Sequence, residues 1–214
     1  MDGIITYITK NYDPVSIIVY GSYANHTNNE HSDFDALVIS KNHRKLHDVS
    51  FVDGIQLDVF VYPLEFFESD INCEEFVQIF DGNIVLDTNC HGEMLKRKVQ
   101  EYIKSLPQKT EEELRTDIEW CKKMCLRTKR GDAEGMYRWH WVLTESLKIF
   151  CDVLKHPYFG PKKSLKWMEK YHPQAFASYK SALEQFEEET LKNWITILEQ
   201  YFEKMDVSPQ IRRK

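Results

Sequence analysis

Val15-Ser-Ile-Ile-Val-Tyr-Gly-Ser-Tyr-Ala-Asn-His-Thr-Asn-Asn-Glu-His-Ser-Asp-Phe-Asp-Ala-Leu-Val-Ile-Ser40 is the stretch that decides the fold. Its opening, Val15 to Tyr20, is rich in β-branched residues and reads as a strand. Gly21-Ser22 ends it, because a residue without a Cβ lets the backbone turn sharply, and Ser22 is placed to cap a short helix. Such a junction leaves backbone N–H groups unpaired and turns a hydroxyl outward, which makes an anion site, phosphate being the obvious anion. After the polar segment Asn25 to Ser32, Asp33-Phe34-Asp35 opens a second strand that continues through Ala36, Leu37, Val38 and Ile39. A side-chain period of two sends both carboxylates to one face and Phe34 to the other. Carboxylates this close repel and raise each other's pKa unless a cation lies between them.

A third carboxylate follows the Asp53-Gly54 turn. The strand Ile55 to Tyr62 holds Asp58 in the middle of an otherwise apolar run. An Asp there is costly unless it is paired or binds metal. Three aspartates beside a phosphate-binding turn suit Mg²⁺ or Mn²⁺, which prefer carboxylate, water and phosphate oxygens. Acidic residues number 34 of 214, so an Asp-x-Asp alone reads as a solvated loop end, and a Gly-Ser turn alone says less. The weight lies in the conjunction of turn, Asp-x-Asp strand and strand-embedded Asp.

Gly21-Ser22, ten intervening residues, Asp33-Phe34-Asp35 and the later Asp58 resemble the nucleotidyltransferase superfamily with the DNA polymerase β-like catalytic fold. The resemblance extends over roughly the first ninety residues. It implies an α+β fold: a polymerase β-like nucleotidyltransferase domain with a mixed sheet flanked by helices, followed by an all-α helical bundle. Within the superfamily the chain is similar to the small bacterial aminoglycoside and lincosamide nucleotidyltransferases. The implied reaction moves a nucleoside monophosphate from an NTP, ATP in the first instance, to a hydroxyl of a small molecule and releases pyrophosphate. Asp33 and Asp35 are implied to hold Mg²⁺ or Mn²⁺, Asp58 to join where the acceptor hydroxyl is activated, and Gly21 and Ser22 to bind phosphate. Two other functions stay open: a protein-modifying (AMPylating) minimal nucleotidyltransferase, and a non-catalytic nucleotide-binding module. A second subunit completes the cleft in some relatives, which leaves a homodimer open as well.

The composition is that of an ordinary globular protein, 42% hydrophobic and 29% charged. A net charge of −6 and a pI near 5.8 argue against general duplex nucleic-acid binding, which needs a basic surface. Cys73, Cys90, Cys121, Cys125 and Cys151 are odd in number and contain no C-x-x-C, so neither a disulfide framework nor a zinc ribbon is indicated. Cys121 and Cys125 share a face of an expected helix as reduced core thiols. No stretch has the length and apolarity of a membrane span, and the N-terminus lacks the pattern of a signal peptide; the expectation is a cytoplasmic protein.

Along the chain, Ile4, Ile5, Tyr7 and Ile8 predict a first helix, ended before Asp13-Pro14. His26 and His31 in the loop before Asp33 are given no role. Lys41 to His47 reads as a basic, polar connection or edge region. Ser50 to Val52 and the Asp58 strand form a hairpin at Asp53-Gly54, and Pro63 leads into a short helix through Phe66 and Phe67. A strand Asn83 to Asp87 and a helix from about Gly92 to Ile103 complete the first domain, residues 1–106, with the boundary at Ser105-Leu-Pro-Gln-Lys109. About five helices follow as a bundle over 107–207, with a tail at 208–214. Thr110 and Glu113 have capping-box spacing. Gly131 and Gly135 bracket a break, after which Met136, Trp139, Leu143, Leu147, Phe150 and Leu154 form a core stripe of one long helix.

The resemblance implies a helical domain that, in relatives acting on small hydroxyl compounds, commonly forms one wall of the cleft and can supply the general base. Glu145 is the candidate, its helical neighbours Trp141, Val142 and Ile149 being an apolar setting suited to a base; an i,i+3 ion pair with Lys148 is the equal alternative. His140 is a weaker base and a better structural residue. The stretch His156 to Trp167 resembles the turn and Lys-bearing helix of such domains. It makes Lys163 and Lys166 candidate ligands of the β- and γ-phosphates, against the default of a solvated basic face.

Overall fold

The computed structural model describes residues 1–42 and 44–206. The chain divides into two compact units, Met1–Leu106 and Pro107 onward. The tail expected at 208–214, and residue 207 before it, lie outside the described residues.

The first unit runs α1 (Asp2–Tyr12), β1 (Pro14–Val19), α2 (Gly21–Ala24), β2 (Phe34–Ser40), β3 (Leu46–Asp48), β4 (Phe51–Val52), β5 (Ile55–Pro63), β6 (Asn83–Asp87) and α3 (His91–Ser105). Two 3₁₀ segments, Leu64–Phe67 and Cys73–Ile79, lie between β5 and β6. The strands line up as β3-β5-β2-β1-β6, with β4 paired to β5. β2 and β5 are parallel and every other pairing is antiparallel, so the sheet is mixed, as the α+β reading requires.

The apolar runs explain why β1 and β2 sit centrally. Ile17, Ile18, Val19, Leu37, Val38 and Ile39 are all buried, the pattern of strands covered on both faces. α1 turns Ile4 and Ile8, four residues apart, onto that core with Tyr12 below them. The β4–β5 hairpin is closed by Asp53 (φ 52°) and Gly54 (φ 80°), the positive φ at both positions that a two-residue hairpin of matching twist demands. One strand was not anticipated. β3 falls largely in the segment read as a connection or edge region, where it forms the edge of the sheet, and its three residues are held as a strand by pairing with Val59, Phe60 and Val61.

The second unit contains α4 (Glu111–Arg127), α5 (Ala133–Val153), α6 (Pro161–Tyr171), α7 (Pro173–Glu184) and α8 (Glu188–Asp206), with no strand among the described residues. The Thr110–Glu113 capping box is formed in both directions. α5 begins earlier than the glycine pattern predicts, because the Asp132 side chain accepts the Gly135 N–H and caps the helix. Gly135 is therefore helical, and its lack of a side chain lets the Thr128 carbonyl oxygen come to 2.8 Å from where a Cβ would stand. Trp139, Leu143, Leu147 and Phe150 form the buried stripe of α5, whereas Met136 is 46% exposed and outside it.

Trp194 of α8 is fully buried in this core, and its Nε1–H donates to Ser146 Oγ at 2.7 Å. The buried Tyr179 hydroxyl donates to the Leu143 carbonyl at 2.8 Å and Trp139 Nε1–H to the Ala182 carbonyl at 3.1 Å. Each polar handle brought inside by an aromatic ring is thus satisfied. All five cysteines are free; burial pushes the Cys121 thiol up to about 12 and the Cys151 thiol up to about 11, which keeps both protonated and inert. Among the described residues no helix is long and apolar enough to cross a membrane.

Candidate active site

The parallel register of β2 and β5 sets Asp35 directly beside Asp58. Neighbouring strands are about 4.8 Å apart, so two carboxylates at matched positions share one face of the sheet at nearly contact range. Asp33 precedes β2 and reaches the same place from two residues upstream. One carboxylate oxygen from each of Asp33, Asp35 and Asp58 lies within 4.8 Å of the others. Asp33 is exposed, Asp35 and Asp58 half-buried, while Phe34 between the first two is completely buried on the opposite face. The period-two reading of this segment therefore describes the geometry found.

Gly21 completes the floor. It has φ 69°, and a Cβ there would stand 2.1 Å from Asp35 Oδ2 and 2.9 Å from its Cγ. The absent side chain is thus the space that the Asp35 carboxylate occupies. The Tyr20 backbone N–H donates to the Asp35 carbonyl at 3.1 Å and ties the turn to β2. The Tyr20 hydroxyl is held well above its ordinary pKa, first by burial and then by the nearby charges of Asp58 and Asp35, partly offset by a hydrogen bond with Gln78. It stays a neutral donor beside the acidic cluster.

Ser22 differs from the expectation. It lies inside the four-residue α2 with Tyr20 in the capping position, and it is buried instead of facing outward. Its Oγ has no hydrogen-bond partner among the described residues. A buried hydroxyl without a partner is uncommon. The donor set itself, three carboxylates with only oxygen ligands, fits a hard divalent cation such as Mg²⁺ or Mn²⁺.

Sequence reasoning passed over His47. It lies on β3 opposite Phe60, and its ring stacks on the Phe60 ring at 4.1 Å between centroids and 3° between planes. Its Nε2 is 2.5 Å from Asp58 Oδ1. With three residues, one of them apolar, β3 carries no periodic signal from which this contact was legible.

The remaining candidates belong to the second unit. Glu145 on α5 pairs with Lys148 at 2.8 Å, the alternative anticipated for it. Both line an open cavity of about 460 Å³ within the helical unit, walled by Trp120, Trp141 and Tyr158. Trp120 and Trp141 meet edge to face at 5.1 Å, and Lys109 bridges Asp117 and Asp152 at 2.7 and 3.0 Å along the same cavity. Lys163 is half-buried with its Nζ 5.7 Å from the centre of the Phe159 ring, and Lys166 is exposed. His140 is exposed and packs edge to face on Phe186.

The family model for the nucleotidyltransferase domain matches residues 1–133, which takes in the sheet, the acidic cluster and α4. The chain belongs to the nucleotidyltransferase domain family. That family transfers nucleoside monophosphates from nucleoside triphosphates with divalent metal. Among solved structures, a nucleotidyltransferase-like protein from Exiguobacterium sibiricum 255-15 is similar over 95% of this chain and 74% of its own, at 13% identity and a TM-score of 0.39. No curated protein matches the chain.

Proposed function

We propose that this nucleotidyltransferase-family chain is an active enzyme that moves a nucleoside monophosphate from an NTP, in the first instance ATP, to a hydroxyl of a small molecule, with release of pyrophosphate. The observation that carries the reading is the convergence of Asp33, Asp35 and Asp58 beside the Gly21-Ser22 turn. A nucleotide sensor without turnover has no use for a third carboxylate held against the other two at the cost of their repulsion. Bound Mg²⁺ or Mn²⁺ would neutralise phosphate charge and make the acceptor hydroxyl easier to deprotonate.

Asp33 and Asp35 are the residues that would hold the triphosphate's cation, and Asp58 the one that would reach the acceptor side. Gly21 makes room for the Asp35 carboxylate, and Gly21 and Ser22 are the candidate phosphate ligands through the backbone of their turn. In-line attack on the α-phosphorus breaks its bond to the pyrophosphate leaving group, and the protein contributes chiefly position and charge. Residues 1–106 act as the catalytic domain in this reading and residues from 107 as the acceptor-binding helical domain. Glu145 is the candidate base of that domain, and Lys163 and Lys166 are its candidate phosphate ligands. Support for a small acceptor comes from the aromatic-walled cavity around Glu145, whose size and mixed lining suit a compact polar molecule.

The test is incubation of the purified protein with α-labelled NTPs, Mg²⁺ and a panel of aminoglycosides, lincosamides and co-expressed proteins, followed by separation of small products from protein. Label on a small molecule is the expected result. Label confined to a protein band would replace the acceptor class, and nucleotide binding without transfer to any acceptor would replace the enzyme with a sensor.

A further inference from the structure

Resting on the reading of Asp33, Asp35 and Asp58 as cation ligands, we infer that His47 is a positioning residue for the site: it fixes the rotation of the Asp58 carboxylate so that its second oxygen is presented to the cation.

The geometry leaves little freedom at His47. In the antiparallel β3–β5 pair His47 stands opposite Phe60, and Asp58 is the diagonal neighbour of His47 on the same face. Such diagonals lie within reach of a ring side chain. The parallel stack on Phe60, 4.1 Å and 3°, sets the plane of the imidazole, and within that plane Nε2 meets Asp58 Oδ1 at 2.5 Å. An ionised carboxylate only accepts hydrogen bonds, so Nε2 is the donor. In a neutral ring this selects the Nε2–H tautomer. With Oδ1 held, the Cβ–Cγ bond of Asp58 is no longer free to rotate.

As a stability device the pair is poorly placed, since His47 is 43% and Asp58 34% exposed, and ion pairs that open to water contribute little. It is well placed to orient a ligand. Asp58 alone of the three aspartates comes from β5, and it faces two other negative groups from which an untethered carboxylate would swing away. Hydrogen bonds that orient ligating groups from outside the ligand set typically change metal affinity about 10- to 100-fold when removed.

The experiment is a Mn²⁺ titration followed by the electron paramagnetic resonance signal of free Mn²⁺, without nucleotide or acceptor, on wild type, Asp35→Asn, His47→Phe and His47→Gln. Phe keeps the stack on Phe60 and removes the donor; Gln restores a donor. Wild type is expected to bind and Asp35→Asn to lose binding. His47→Phe should bind about 10- to 100-fold more weakly at an unchanged melting temperature. His47→Gln should regain most of that loss. Ring ¹⁵N NMR of wild type should show a protonated Nε2 that is perturbed in Asp58→Asn.

If Asp35→Asn loses Mn²⁺ while His47→Phe binds as wild type does, the positioning role falls and the cation site stands. Equal losses in both His47 variants with lowered melting temperatures would make His47 structural only, and also overturn the inference. Absence of Mn²⁺ binding in wild type would remove the cation reading and this role together.

Discussion

Substituting Gly21 by alanine tests the site with the smallest possible change. Two costs can be worked out from the structure. The left-handed backbone at φ 69° strains any residue with a Cβ, by roughly 1–2 kcal/mol. The second cost is local: the new methyl would stand 2.1 Å from Asp35 Oδ2, so the carboxylate must retreat by roughly 1 Å or more to reach ordinary contact distance. A misplacement of about that size at a reacting centre lowers rate about 100-fold. Gly54→Ala separates the two effects, because Gly54 also has positive φ, 80°, with nothing among the described residues within 4 Å of its added Cβ. Both variants should lose comparable stability, on the order of 5 °C in melting temperature by circular dichroism. Only Gly21→Ala should lose Mn²⁺ affinity and nucleotidyl transfer. Wild-type Mn²⁺ binding in Gly21→Ala, at whatever stability, would refute the view that the turn and Asp35 are fitted to each other.

Asp35→Asn is expected to abolish label transfer with an unchanged circular dichroism spectrum, and Glu145→Gln to lower transfer far less; wild-type rates in Asp35→Asn would remove the acidic cluster from the chemistry. Asp48 is buried, which on its own raises a carboxyl pKa, yet hydrogen bonds from the Tyr12 hydroxyl at 2.5 Å and from Ser50 bring it below its ordinary value of 3.8. A depressed folded pKa means that the unfolded chain binds the proton more readily, so this stabilisation is complete above the ordinary value and disappears as pH falls through the folded one. Melting temperature should therefore fall as pH drops below the ordinary carboxylate value of 3.8, and fall less in Asp48→Asn. Ser146→Ala should cost about 1–3 kcal/mol in urea denaturation, because it leaves the Nε1–H of the fully buried Trp194 without an acceptor. An unchanged urea midpoint would mean that the indole finds another partner.

What could be foreseen from sequence and what could not divides along a physical line. Asp33, Asp35 and Asp58 were legible because strand alternation and a charge in an apolar run are local signals, and Asp53-Gly54 because a two-residue hairpin has its own chemistry. β3 was not, since Leu46-His47-Asp48 becomes a strand only by pairing with β5. His47 was lost with it. Ser22 was misjudged as the cap because α2 begins two residues earlier than a Ser22 cap would have it, with Tyr20 in the capping position, and Ser22 is buried within the helix. Met136 fits the periodicity of α5 yet remains exposed, as spacing names a face without saying whether another element covers that turn. Glu145 had two readings from its neighbours, and the side chain turns to Lys148.

The parallel pairing of β2 with β5 also bears on how the chain acquires its site during folding. Parallel neighbours cannot be joined by a tight turn, so the chain must travel back along the sheet before β5 begins, and β3, antiparallel to β5, is part of that return. Asp35 and Asp58 therefore meet only after the intervening chain has closed a loop, at a larger entropy cost than a local turn. A ribosome-bound chain that has emerged only through β2 carries two of the three aspartates and no complete acidic cluster. The complete acidic cluster thus reports the pairing of β2 with β5, while β6, later in the chain, has still to join β1.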